Sequence, residues 1–283
     1  MLAVNLARLV KFEHSVFALP FAFMGAIVAA GGFPDIRTVL LIILAMVSAR
    51  TAAMTFNRIA DLEFDSQNPR TARRELVTGV VSPVQAWALL AASCAIFITA
   101  AYFINQLAFT LSFAALVITL GYSYTKRFTS LSHLALGLAL SFAPVGAWIA
   151  VTGRIELAAI ILAAAVMLWT AGFDIIYSLQ DSTFDRDRGL YSLPARLGDA
   201  RALFLSRILH TGMAALLVWF GLEAGLGLFY WIGVGVVVIC LVWEQSLVSP
   251  TDKSRINAAF FTANGFVSIA LFLFTLVDAL FRL

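Results

Sequence analysis

The sequence predicts an all-α membrane protein of about nine transmembrane helices, and three observations carry that prediction. Of 283 residues, 61% are hydrophobic and 12% charged, about half the charge of a soluble domain, and mean hydropathy is +0.94. The apolar residues form continuous runs of about 20, the length a helix needs to cross the hydrocarbon core. Within a run they do not alternate with polar residues, as the strands of a membrane barrel would. Because a lipid-facing backbone must satisfy its hydrogen bonds internally, the runs read as helices. A soluble enzyme with one anchor is excluded, since the spans take up the chain.

In order, the runs lie at 15–32, 36–60, 82–104, 106–125, 131–152, 155–180, 198–222, 226–248 and 256–281, with Gly, Pro, Asn and Asp punctuating the gaps. The opening MLAVNLARLVKFEH has no long apolar core ending in a small-residue cleavage site, so it reads as an interfacial lead-in rather than a signal peptide. An odd number of spans puts the termini on opposite sides. Of 19 basic residues, all but Arg37, Arg50, Arg154 and Arg282 then fall on the face that carries the N-terminus and two long polar connections, 61–81 and 181–197. The positive-inside rule makes that face cytoplasmic. A net charge of +3 gives no reason to expect nucleic acid as a partner, and no protein partner is evident. Cys94 and Cys240 sit inside apolar runs as small hydrophobes.

The two polar connections resemble each other. One shift superposes Asp61 on Asp181 and Asp65 on Asp185, each pair following an even-numbered span. At 100° per residue, Arg50, Asn57, Asp61 and Asp65 share an arc of about 80° on span 2, and Asp174, Tyr177, Asp181 and Asp185 share another on span 6. Glu63 points away. Ionisable groups in a span cost roughly 2.5–3.5 kcal/mol each on insertion scales, so a stripe of them needs partners or a water-filled cavity. Surface caps paired with nearby arginines would explain one such helix end; a second copy is redundant for capping.

Carboxylates at i and i+4 offer oxygens along one helix edge, which suits a hard cation such as Mg²⁺ that keeps waters and substrate phosphates as further ligands. Zinc is a poor match: His14, His133 and His210 are scattered and read as interfacial or core residues. Arg70, Arg73, Arg74, Lys126, Arg127, Arg186, Arg188 and Arg196 surround the acids and suit phosphate oxygens, besides obeying the sidedness rule. With no GxxxxGK[ST] or GxGxxG to cradle a nucleotide, the diphosphate must arrive on something else. An isoprenoid diphosphate, its tail dissolved among the helices, fits. Departure of diphosphate from an allylic carbon needs its charge neutralised and leaves a cation that water would quench. Aromatic faces such as Tyr122, Tyr124 and Tyr177 would steady that cation.

These residues resemble the UbiA superfamily of intramembrane aromatic prenyltransferases over nearly the whole chain. Its NxxxDxxxD motif stands as Asn57, Asp61 and Asp65, followed by NPRTARREL; its DxxYxxxDxxxD motif as Asp174, Tyr177, Asp181 and Asp185; its YxxxK element as Tyr122 and Lys126. The resemblance implies a single domain over 1–283, with the helices around a central cavity. It implies Mg²⁺ and diphosphate held by Asp61, Asp65, Asp181 and Asp185. Substrate would be bound by Asn57, Arg50, Arg70, Lys126, Arg127 and Tyr177. Tyr122 matches the tyrosine near the reacting carbon, and Asp174 is the candidate for orienting or deprotonating the acceptor. KFEHSVFALPF resembles the bacterial quinone-pathway branch, which implies a polyprenyl diphosphate, a 4-hydroxybenzoate-like acceptor, ubiquinone or menaquinone synthesis and the bacterial inner membrane. Glu13 and His14 would then lie near the acceptor or at the interface. Some relatives use a dihydroxynaphthoate instead. Arg74 is followed by Glu75 and Leu76 rather than the commoner RPL ending, a departure that touches the acceptor or the loop and not the metal site.

Two rivals compete. A cation-coupled secondary transporter would hold its acids mid-span, whereas these fall at span ends. A CDP-alcohol phosphotransferase would gather its acids into one Gly-containing motif with an Ala-Arg pair, which is absent from the sequence.

Overall fold

The computed structural model describes residues 2–10 and 18–282, and every described segment of regular structure is helical. Lys11, Glu13, His14 and the first part of KFEHSVFALPF lie outside the described residues. The helices are α1 (Leu2–Leu9), α2 (Ala18–Ala30), α3 (Ile36–Ala60), α4 (Leu62–Gln67), α5 (Pro83–Ile104), α6 (Gln106–Thr125), α7 (Ser132–Thr152), α8 (Leu157–Ser178), α9 (Ser182–Asp187), α10 (Leu193–Leu197), α11 (Asp199–Glu223), α12 (Leu228–Ser246) and α13 (Asn264–Arg282). Among the described residues eight helices are long and apolar enough to cross a membrane, and α2 is a shorter apolar ninth. This is an integral, multi-pass membrane protein.

Each long helix packs on the next in the chain, and the ring closes through α13 against α2 and α2 against α3. Side chains such as Val117, Ile239 and Val242 stay 66–72% exposed on the outer faces, where lipid rather than water is the neighbour. The most buried rod runs from Leu157 to Asp187 through a 3₁₀ turn at Leu179–Asp181. Its first part, residues 157–173, is apolar on nearly every face, as a helix packed on all sides must be.

Polar residues fix the helix ends. Asp35 caps α3 by accepting from Thr38 N at 3.0 Å. Ser82 and Gln85 form a capping box on α5, with Pro83 in its first turn. Asn105 caps α6 through Ala108 N and ties it to α7 by donating to Ile149 O at 2.8 Å. Before α13, a π-helical stretch at Ala258–Ala263 widens the backbone. Asn264 satisfies it, donating to Ala259 O and Phe260 O at 3.1 Å and to the buried Glu244 at 2.8 Å while accepting from Trp169 Nε1 at 2.6 Å. The bulge sets the Phe260 ring 4.2 Å from that of Tyr177.

Small residues let α7 and α8 approach. A Cβ added at Gly137 would sit 2.3 Å from the carbonyl oxygen of Met167, on backbone that cannot yield, whereas one added at Gly235 would meet nothing within 4 Å. Gly137→Ala is therefore expected to destabilise the protein by about 1–3 kcal/mol, read as a lowered unfolding temperature in detergent, with Gly235→Ala unchanged as the control. Equal behaviour of the two would contradict this packing.

Candidate active site

The two acidic motifs come together. Asn57, Asp61 and Asp65 from the end of α3 and from α4, and Asp174, Tyr177, Asp181 and Asp185 from the Leu157–Asp187 rod, line one chamber of about 280 Å³. Arg50, Arg70, Arg74, Tyr122 and Lys126 line it too. The α3 helix breaks at Asp61 and restarts as α4, but Asp61 N still bonds Asn57 O and Asp65 N still bonds Asp61 O, so the expected shared face survives the break.

The copies are bonded to one another. Arg70 grips Asp181 with two nitrogens, Nε at 2.9 Å from Oδ1 and Nη2 on Oδ2, and donates from Nη1 to the Tyr177 hydroxyl at 3.3 Å. Asn68 adds a donor to Asp181 Oδ1 at 2.9 Å. Burial pulls the Arg70 guanidinium down, but its bond to Asp181 and that charge outweigh burial and raise its pKa above the ordinary value. Within the first copy, Arg74 pairs with Asp65, and Asp61 Oδ2 receives Lys126 Nζ at 3.0 Å and Asn57 Nδ2 at 3.1 Å. Asp61 Oδ1 is buried with no hydrogen-bond partner, Arg127 Nη2 standing off at 3.8 Å.

Some expected residues stand elsewhere. Arg127 lies behind Asp61 rather than in the chamber wall, donating to Ala60 O and covering the rings of Phe64 and Tyr124. Tyr124 packs against Phe56 and is 40% exposed, which corrects its reading as a cation-steadying face. Arg73, Arg186, Arg188 and Arg196 do not line the chamber: Arg186 bonds Ala195 O, and Arg188 and Arg196 lie over Phe184 and Tyr191. Among the described residues no three His, Cys, Asp or Glu side chains close into a metal-ligating group. The expected four-carboxylate cluster is thus spread around the chamber wall, each of three acids drawn toward its nearest cation.

Arg58 and His133 are among the lining residues that were not expected, as is Asn68. Arg58, counted above only for its charge, is 4% exposed in the chamber wall, and its Nε donates to Leu9 O at 3.4 Å. That bond brings α1 to the end of the bundle that holds the motifs. His133, read above as scattered, lies 2.7 Å from Asp174 through Nδ1.

A second cavity, about 390 Å³ and almost wholly apolar, runs between α3, α5, α6 and α7. It shares Arg50, Met54, Tyr122, Leu136 and Leu140 with the polar chamber, so the two cavities abut at these side chains. Its wall on α6 extends from Tyr122 to Ala108, about 20 Å at 1.5 Å per residue. An amphiphile with an anionic head and a long apolar tail matches this pair.

The chain matches the model of the UbiA prenyltransferase family over residues 18–270. It belongs to that family. It is 31% identical over 256 residues to a 4-hydroxybenzoate octaprenyltransferase of Pseudomonas aeruginosa, covering 90% of this chain and 86% of that one. Its fold matches the apo structure of a UbiA homolog from Aeropyrum pernix with TM-score 0.86 and 37% identity, over 94% and 98% of the two chains. A UbiA homolog from Archaeoglobus fulgidus, solved with GPP and Mg²⁺, shares the fold with TM-score 0.77 at 20% identity, over 97% of this chain and 99% of that one.

The cation-lined half of the chamber should bind a free polyanion. Pyrophosphate is expected to raise the unfolding temperature of the purified protein, and Lys126→Met to remove most of that rise. No rise in the wild type would contradict an anion-binding chamber.

Proposed function

We propose that this family member moves a polyprenyl group from its diphosphate to a ring carbon of a phenolic acid of the 4-hydroxybenzoate type, in quinone synthesis at a bacterial inner membrane. The observation that carries the reading is that the polar chamber and the apolar cavity abut at Arg50 and Tyr122. The chain, 1–283, acts as one catalytic unit with its N-terminus cytoplasmic, which the bond from Arg58 to Leu9 supports by keeping α1 on the basic, motif-bearing end.

The residues present fit Mg²⁺. The donors are hard carboxylate oxygens, and the buried Asp61 Oδ1 without a hydrogen-bond partner suits a cation better than any neighbour it has. Asp61, Asp65, Asp181 and Asp185 would hold the ion, which when bound neutralises the leaving diphosphate. Lys126, Arg70 and Arg74 take further phosphate oxygens as charge builds on them. The bond from prenyl C1 to oxygen breaks with its electron pair going to the diphosphate. Tyr122, at the junction, steadies the allylic cation, and the apolar tunnel keeps water from it. The ring carbon beside the phenol oxygen closes the new carbon–carbon bond as the phenol hydroxyl gives its proton to the Asp174 carboxylate, and the resulting dienone becomes aromatic again by moving the proton on that carbon to the oxygen. Arg50, half-buried at the same junction with its Nε atom buried and unpartnered, pairs with the acceptor's carboxylate. Asn57 and Tyr177 support the motifs by holding Asp61 and Arg70, and Arg127 acts from behind Asp61.

Membranes supplied with polyprenyl diphosphate, 4-hydroxybenzoate and Mg²⁺ are expected to yield prenylated acid and diphosphate. A product from a dihydroxynaphthoate alone would change the acceptor and keep the chemistry. Asp61→Asn and Asp181→Asn are each expected to lower turnover by about a hundredfold or more, as lost charge stabilisation does; near-normal rates in either would refute a two-motif site.

The tunnel makes a separate prediction. Ala115 lines it on α6 well beyond Tyr122, so Ala115→Trp is expected to favour short prenyl donors over long ones when donors of graded length compete. An unchanged length profile would count against the tunnel as the tail's path.

A further inference from the structure

Both nitrogens of the His133 ring are engaged. Nδ1 lies 2.7 Å from Asp174 Oδ2, and Nε2 meets the backbone N–H of Leu193 at 3.3 Å. A backbone N–H can only donate, so Nε2 is the acceptor, the proton sits on Nδ1, and a neutral imidazole donates to Asp174. The residue is 3% exposed, so little water competes for either bond. With Oδ2 committed to the ring, the part of Asp174 still open, 23% of the side chain, belongs to the chamber wall.

The other end of this strut lies shortly after the second motif, where Leu193 opens α10. That stretch turns back at Gly189, whose φ of 68° suits glycine. It then hangs on the end of α6 through Tyr191 N–H to Lys126 O at 2.8 Å and reaches His133 two residues later. Lys126 holds Asp61 with its side chain and this stretch with its carbonyl. One imidazole therefore joins the acid on the acceptor side to a segment anchored on the diphosphate side.

We propose that His133 is a positioning residue for the acceptor. Its neutral ring holds the Asp174 carboxylate so that the remaining oxygen accepts the hydrogen bond of the acceptor's ring hydroxyl, and it makes that orientation depend on the docking of residues 189–193. This rests on the prenyl-transfer reading above. An apolar side chain at 133 frees the carboxylate to rotate and leaves Leu193 N–H without its acceptor. Glutamine keeps both bonds in principle, its amide nitrogen donating to Asp174 and its amide oxygen accepting from Leu193.

Steady-state kinetics of the full-length protein in proteoliposomes, with each substrate varied in turn, test it. His133→Leu is expected to lower kcat/KM for 4-hydroxybenzoate by about tenfold, the effect of one lost charge-assisted hydrogen bond, with KM for the polyprenyl diphosphate held within about twofold. His133→Gln is expected to recover most of the loss. In His133→Leu the amides of 189–193 are expected to exchange with deuterium faster than in the wild type. Equal losses for both substrates, no loss for either, a glutamine variant as poor as leucine, or unchanged exchange would overturn the role of His133 and leave prenyl transfer standing. A wild type that prenylates no phenolic acceptor would overturn the functional reading, and this inference with it.

Discussion

A carboxylate inside an apolar bundle must find a cation, a donor or water, and that demand organises this molecule. Asp181 finds Arg70 and Asn68, which belong to the loop after the other motif. The bond thus closes the site between two distant parts of the chain. Arg74 on Asp65 and Lys126 on Asp61 complete the set from α5's approach loop and from α6. Removing one partner from such a pair is far more damaging than its net contribution suggests, because the other charge is left stranded. Three of the basic residues that the sidedness rule collects at one end, Arg70, Arg74 and Lys126, therefore also hold the chamber's shape.

The bundle separates two environments and lets them meet at one place. Below Arg50 and Tyr122 the walls are mostly aliphatic; above them acids, amides and cations face an aromatic wall. A diphosphate on a long hydrocarbon is the ligand chemistry that needs both. The aromatic wall of Phe173, Tyr177 and Phe260 is kept in place by the π-helical widening before Asn264, whose amide is bonded on four sides. The widened backbone of one helix is thus matched by a side chain at its end.

The spans, the acid stripes and their convergence were legible because each has a local signal: run length, the helical period and the energetic penalty of charge in lipid. The same arithmetic would have found Arg58, about 80° round from Arg50 and close to the direction of Asp65. It would also have separated Tyr124 from Tyr122, since two residues turn the helix by about 200° and send Tyr124 to the other face. His133 is different. Its bonds reach Asp174 and Leu193 across 41 and 60 residues, and such contacts depend on how α7 and α8 pack, which no periodicity records. Nor does sequence spacing reveal the tunnel, because its walls come from four helices whose apolar faces look like any lipid-facing stripe.

The central claim is that Asp61 and Asp181 act on one Mg²⁺-diphosphate rather than at two separate places. Titration calorimetry of a non-reactive polyprenyl thiodiphosphate with Mg²⁺, on the wild type, Asp61→Asn, Asp181→Asn and the double variant, measures this directly. The account predicts strong coupling, the double variant binding little worse than either single one. Losses that simply add would mean two independent sites and would contradict it.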